Sequence, residues 1–141
     1  MIIEKNEFIR LFSDYDIDVT SEQYEKFLTY SDYLVEYNKV CNLTAILDSE
    51  GITIKHFLDS ILPFSKLEFS KNASIIDVGT GAGFPSVPLK IMNSSLNVTL
   101  LDSLNKRVNF LNSLCQKLSL EDVVTVHGRA EELGKSADFR E

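Results

Sequence analysis

The spacing of apolar residues changes near residue 73. In "VTSEQYEKFLTYSDYLVEYNKVCNL", Tyr24, Phe27, Leu28, Leu34 and Val35 recur at helical intervals, and Tyr30, Tyr33 and Tyr37 widen the stripe. Thr20 followed by Gln23 has capping-box spacing, and Val19 with Tyr24 has that of a hydrophobic staple, so the helix is predicted to open there. A shorter amphipathic stretch with Phe8, Ile9, Leu11 and Phe12 precedes it, and "IKHFLDSILPF" follows, ended by Pro63. The stretch "KLEFSKNAS" reads as a linker. Beyond it the period shortens. "SIIDVG" is a β-branched run suited to a strand buried on both faces, and "FPSVPLKIM" is a helix with Pro85 in its first turn. "NVTLLD" is a second strand, and "SLNKRVNFLNSLCQKL" a second helix with Leu104, Val108, Leu111, Cys115 and Leu118 on one face. "VVTV" is a third strand, after which "HGRAEEL" turns away. Strand and helix alternating through short turns predict a right-handed βαβαβ unit, half of a doubly wound parallel sheet.

Composition narrows the class. The 141 residues are 44% hydrophobic and 25% charged, ordinary values for a globular protein, and no stretch approaches the roughly 20 apolar residues of a membrane span. "MIIEKNEFIRLF" lacks the apolar core and cleavage site of a signal peptide, which predicts a cytoplasmic protein. A net charge of −7 opposes general, sequence-blind nucleic-acid binding, though a local basic patch stays compatible with it. Cys41 and Cys115 are far apart, which predicts two buried free thiols, and with His56 and His127 equally isolated no metal site is expected.

The chemistry concentrates in "IIDVGTGAGF", residues 75 to 84, where three of the six glycines, Gly79, Gly81 and Gly83, stand between a strand and a helix. Glycine takes positive φ in a tight turn and lets a ligand reach the backbone, and the carboxyl ends of parallel strands are where open α/β sheets bind ligands. The following helix is expected to offer unpaired N–H groups to an anion. A Walker loop is excluded, because no Gly-Lys-Ser/Thr follows. A dinucleotide fingerprint, Gly-x-Gly-x-x-Gly, fails at its sixth position, where Phe84 stands. Asp102 ends the second strand, where a carboxylate can accept hydrogen bonds from ribose hydroxyls; the alternative is an N-cap for a helix opening at Ser103.

"IDVGTGAGFP", "LLDSLNKRVNFL" and "GRAEEL", preceded by "NLTAI" and "HFLDSI", resemble the bacterial family of 16S ribosomal RNA guanine-N7 methyltransferases, also called glucose-inhibited division protein B. The resemblance runs from about residue 20 to residue 134; Ser86 departs from it, where the family more often has glycine. It implies a Rossmann-like class I methyltransferase, with residues 1–70 forming a helical cap and linker and 71–141 the first half of an S-adenosyl-L-methionine-binding domain. It implies that Gly79, Gly81, Gly83 and Phe84 surround the cofactor, Asp102 its ribose, and Ala130 with Glu131 its adenine. Phe84 as a core residue closing the loop is the alternative. Asn42 and His56 are candidates for substrate contact or for a structural network, and Lys106, Arg107 and Arg129 are the basic groups offered to RNA phosphate. Guanine N7 carries a free lone pair, so no general base and no catalytic residue are expected. The implied substrate is 16S ribosomal RNA or the small ribosomal subunit. The family continues past the third strand, so the chain is expected to be an incomplete, inactive fragment whose first strand, left as an edge, invites self-association. A non-catalytic nucleotide-binding or RNA-associated module is the second reading.

Overall fold

A computed structural model describes residues 2–129. Helix α1 spans Lys5–Ser13 and α2 spans Ser21–Tyr37. The cap of α2 is as the sequence spells it. The Thr20 hydroxyl accepts from the Gln23 N–H, and the Gln23 side chain accepts from the Thr20 N–H, at 3.1 and 2.9 Å. A continuous helical run over residues 49–64, here α3, opens on Asp48, whose carboxylate accepts from the Gly51 N–H. Its middle, Ile52–Leu58, is π-helical, and its last turn, Leu62–Phe64, is a 3-10 turn containing Pro63. A π segment adds a residue to the turn, a device common at functional positions.

Three parallel strands follow: β1 Ser74–Val78, β2 Asn97–Asp102 and β3 Val123–His127, in the order β1-β2-β3. Helix α4, Ser86–Met92, connects the first pair and α5, Asn105–Lys117, the second. The register pairs Val78 with Leu101 and Asp102 with His127, so the three strands end level. Lys90 was not singled out by the sequence reading. It is buried, and its Nζ donates to the carbonyls of Ser94 and Leu96, both at 2.6 Å, tying the end of α4 to the entry of β2.

One hydrophobic core joins the helical segment to the sheet. Phe8 stacks on Phe12 and tilts against Phe27; Phe27 meets Phe57, and Phe57 meets Tyr30, with ring centroids 4.4 to 5.4 Å apart. Aromatic burial of this kind contributes more than its area alone.

Two expectations are corrected. The first strand is not buried on both faces: Ile75 and Asp77 are half-buried, but Ile76 and Val78 are 55% and 57% exposed, as is Val124 on β3 at 58%. Two right-handed crossovers running in the same direction put both helices on one face of the sheet, and α2 packs against those helices. Leu104, placed by periodicity on the buried face of the second helix, is instead 50% exposed, because α5 begins at Asn105 and Leu104 is its N-cap.

Candidate cofactor-binding site

The glycine loop folds back over the end of β2. The N–H groups of Gly79 and Thr80 both donate to the Leu101 carbonyl, at 2.8 and 3.2 Å, and that of Gly83 donates to the Thr80 carbonyl. The Gly81 N–H donates to the Asp102 carboxylate at 2.9 Å, while the Thr80 hydroxyl donates to Asp77 at 3.2 Å. Gly79, Gly81 and Gly83 all have positive φ, at +67°, +59° and +99°, a region that L side chains rarely adopt. Four backbone donors of the loop are thus consumed inside the fold. The N–H groups of Gly79, Thr80, Gly81 and Gly83 therefore secure the turn itself; at the start of the following helix, where unpaired N–H groups were expected, Val87 donates to the Gly83 carbonyl and Pro88 has no N–H to offer.

The glycines divide by what surrounds them. A Cβ on Gly79 or Gly81 would meet no atom within 4 Å, which is the open approach a ligand needs. A Cβ on Gly83 would lie 2.8 Å from the Tyr30 hydroxyl, 2.9 Å from Val87 and 3.1 Å from Leu111. Gly83 therefore faces the core, and the close approach expected of it is to the helices and not to a ligand.

Beside Gly79 lies an open cleft of about 440 Å³ at the strand ends, lined by Val78, Gly79, Asp102, Ser103, Gly128 and Arg129. Its position is the one sequence predicted. Asp102 stands at its margin but is only 2% exposed. One carboxylate oxygen accepts from Gly81; the other accepts from the Leu104 N–H at 2.9 Å, the local turn contact that precedes α5. The Arg107 guanidinium lies 3.8 Å away. Asp102 in this state clamps the glycine loop to the entry of α5 rather than presenting a free carboxylate, and it does not cap a helix opening at Ser103. Arg129 is exposed at the cleft, and Ala130 and Glu131 lie outside the described residues.

Phe84 closes the loop from the other side. Its ring is stacked between Tyr30 and His56, at 5.4 and 4.3 Å with interplanar angles of 9° and 10°. The Tyr30 hydroxyl donates to the Ala82 carbonyl at 2.6 Å, and burial raises its pKa well above the ordinary phenol value. His56 Nε2 is 2.8 Å from the Thr44 hydroxyl, which itself accepts from the Ile46 N–H. Burial lowers the His56 pKa from its usual 6.5, against a smaller opposing pull from Asp59. His56 therefore sits in a structural network that joins the 44–46 turn to the glycine loop. Sequence reasoning placed Tyr30 only on the apolar stripe of α2. No signal in a single sequence tells a tyrosine that fills a stripe from one that also holds a distant carbonyl.

Asn42 and the adjacent pair Lys106 and Arg107, far from it in sequence, line a second cleft next to the first. His56 is not among its lining residues. Cys115 is buried, and burial pushes its thiol up to about 11, but Cys41 is partly exposed at the second cleft, contrary to the expected pair of buried thiols. Among the described residues no group of three or more His, Cys, Asp or Glu could hold a metal ion, and no helix is long and apolar enough to cross a membrane.

Residues 23–140 match the family model for GidB, rRNA small subunit methyltransferase G. The chain belongs to this family. It is 52% identical over 128 residues to the ribosomal RNA small subunit methyltransferase G of Clostridium botulinum (strain Alaska E43 / Type E3), an alignment covering 91% of this chain and 54% of that protein. It is 48% identical over 139 residues to the protein of the same name from Exiguobacterium sibiricum, covering 99% and 58%. With that of Lactococcus lactis subsp. cremoris the identity is 46% over 136 residues, covering 96% and 57%. The chain spans about half the length of the curated relatives it matches. Its α/β architecture, a parallel three-stranded sheet beneath a helical segment, is the Rossmann-like half that the resemblance implied.

Proposed function

We propose that the cleft at the strand ends binds S-adenosyl-L-methionine, and that the protein methylates N7 of a guanine in 16S ribosomal RNA. The observation that carries the cofactor assignment is the state of the glycine loop. Gly79 and Gly81 leave open space for a ligand, yet the N–H groups of residues 79, 80, 81 and 83 are already committed within the protein. A dinucleotide's pyrophosphate, docked at a loop and helix N-terminus of this kind, would find those four donors already used. A ligand held mainly by contact and by its ribose does not need them. The family name supports the methyl transfer and the RNA substrate.

Gly79 would flank the methionine end, and Phe84, packed between Tyr30 and His56, would support the loop behind it. Asp102 would take the ribose through lone pairs left over from Gly81 and Leu104, since a carboxylate offers about four acceptor sites. Ala130 and Glu131 would face the adenine. S-adenosylmethionine supplies a methyl group activated on a sulfonium sulfur. Because guanine N7 already has its lone pair free, no proton has to be removed before attack. The task left to this chain's residues is to hold donor and acceptor in line at about 3 Å and keep water out. Arg129, which lines the cleft, would meet an RNA phosphate, and His56 would act on the site through its stack with Phe84.

The test incubates radiolabelled S-adenosylmethionine and small ribosomal subunits lacking the modification with this chain, and in parallel with a full-length relative. Label is expected from the full-length relative, and not from this chain, in 16S RNA at a guanine that becomes sensitive to the strand scission diagnostic of N7 alkylation. Label on another base, or no transfer by the full-length relative, would overturn the assignment.

A further inference from the structure

The second cleft, of about 490 Å³, lies between residues 40–42, just after α2, and the start of α5. Its composition differs from the surface around it. Two aliphatic side chains stand open to solvent there, Val40 at 72% and Leu104 at 50% exposure, beside the two adjacent cations Lys106 and Arg107 and the amide of Asn42. In a chain of net charge −7, an apolar floor with a paired basic rim is a local reversal of sign. Among the described residues Arg107 is also incompletely paired: its Nε is buried without a hydrogen-bond partner there, and its guanidinium lies 3.8 Å from the Asp102 carboxylate. Residues 103 and 104 are consecutive, so the cofactor cleft and this one meet across a single peptide bond.

We propose that this second cleft is a nucleotide subsite, taking the nucleotide next to the methylated one in a single-stranded RNA. The face of its base lies on Val40 and Leu104, its phosphate is held by Lys106 and Arg107, and Asn42 reaches the base edge. Single-stranded RNA is recognised by such a combination of platform, cation and edge contacts. The inference rests on the reading of the chain as an RNA methyltransferase. It adds to that reading a place where substrate is gripped apart from the reacting base. It also gives Arg107 two duties, since the guanidinium that meets the phosphate is the one beside Asp102, the clamp of the glycine loop.

The experiment measures binding of a fluorescein-labelled single-stranded decaribonucleotide to the full chain by anisotropy across a salt series, with S-adenosylhomocysteine affinity measured on the same samples. Lys106→Ala and Val40→Ser are both surface changes outside the cofactor cleft. Each is expected to weaken RNA binding about threefold to tenfold, Lys106→Ala also lowering the salt slope by about one phosphate contact. Affinity for S-adenosylhomocysteine stays at the wild-type value, and the exposed Lys71→Ala changes neither. Wild-type RNA affinity and salt slope in both variants overturn the subsite, as does the absence of RNA binding by the unmodified chain up to about 1 mM. Stronger competition by polyglutamate than by unlabelled RNA also overturns it, by making the partner an acidic protein segment. Failure of the unmodified chain to bind S-adenosylhomocysteine instead overturns the cofactor reading, which separates the two failures.

Discussion

Gly83→Ala tests whether the glycine loop is built as a packed joint between the helical segment and the sheet. The new methyl group would sit 2.8 Å from the Tyr30 hydroxyl, 2.9 Å from Val87 and 3.1 Å from Leu111, at a φ of +99°. A residue other than glycine in a sparsely populated positive-φ region costs about 1–3 kcal/mol. Overpacking a filled core costs about 1–3 kcal/mol more. Tyr30 has little freedom to retreat, being fully buried, stacked on Phe84 and bonded to the Ala82 carbonyl. If it does retreat, a buried carbonyl loses its donor, at about 1–3 kcal/mol. The expected destabilisation is therefore about 3–5 kcal/mol, at the top of the range for single substitutions. Gly81→Ala, at φ +59° with open space above it, meets only the conformational term and should lose about 1–2 kcal/mol. The chain has no tryptophan, so urea unfolding would be followed by far-ultraviolet circular dichroism and tyrosine fluorescence. A double-mutant cycle sharpens the result: Tyr30→Phe removes the nearest obstructing atom, so the pair should destabilise by clearly less than the sum of the singles. Gly83→Ala within about 1 kcal/mol of wild type would refute the packed-joint reading.

Three further outcomes are expected. His56 has a folded-state pKa below its unfolded 6.5, so the unfolded state binds the proton better and stability falls as pH drops through about 6.5; in His56→Gln that pH slope, read by urea midpoints from pH 7.5 to 5, should flatten, and an unchanged slope would assign it to other groups. Native protein treated with iodoacetamide near pH 8 should be alkylated at Cys41 well before Cys115, whose buried thiol is pushed up to about 11; equal rates by mass spectrometry would contradict the burial. The open edge of β1, with Ile76 and Val78 exposed beside it, should drive concentration-dependent self-association that Ile76→Lys reduces; light scattering showing a strict monomer at about 100 μM would exclude it.

The βαβαβ order was legible because each element announces itself locally: Thr20 and Gln23 cap α2, β-branched runs mark the strands, and the glycines mark the turn after β1. Which face of β1 is covered was not legible. An apolar run such as Ile75, Ile76 and Val78 reads the same whether helices lie on both sides of a sheet or on one, and only the direction of successive crossovers decides it. At the site, position along the chain placed Gly79, Gly81 and Asp102 at the strand ends, but hydrogen bonding decided their tasks. A carboxylate that accepts from Gly81 and Leu104 and one that waits for a ribose occupy the same place in sequence. Tyr30, 52 residues from the carbonyl it holds, escaped for the same reason: long-range contacts carry no local pattern.

The central claim, that the strand-end cleft takes the methyl donor's scaffold, is tested most directly by titration calorimetry of the 141-residue chain with S-adenosylhomocysteine and with NAD. Saturable binding of S-adenosylhomocysteine is expected, at least about tenfold tighter than NAD. That binding should vanish in a folded Gly81→Val variant, whose branched side chain would fill the open space above the loop. Tighter binding of NAD, or undiminished S-adenosylhomocysteine affinity in Gly81→Val, would contradict the account.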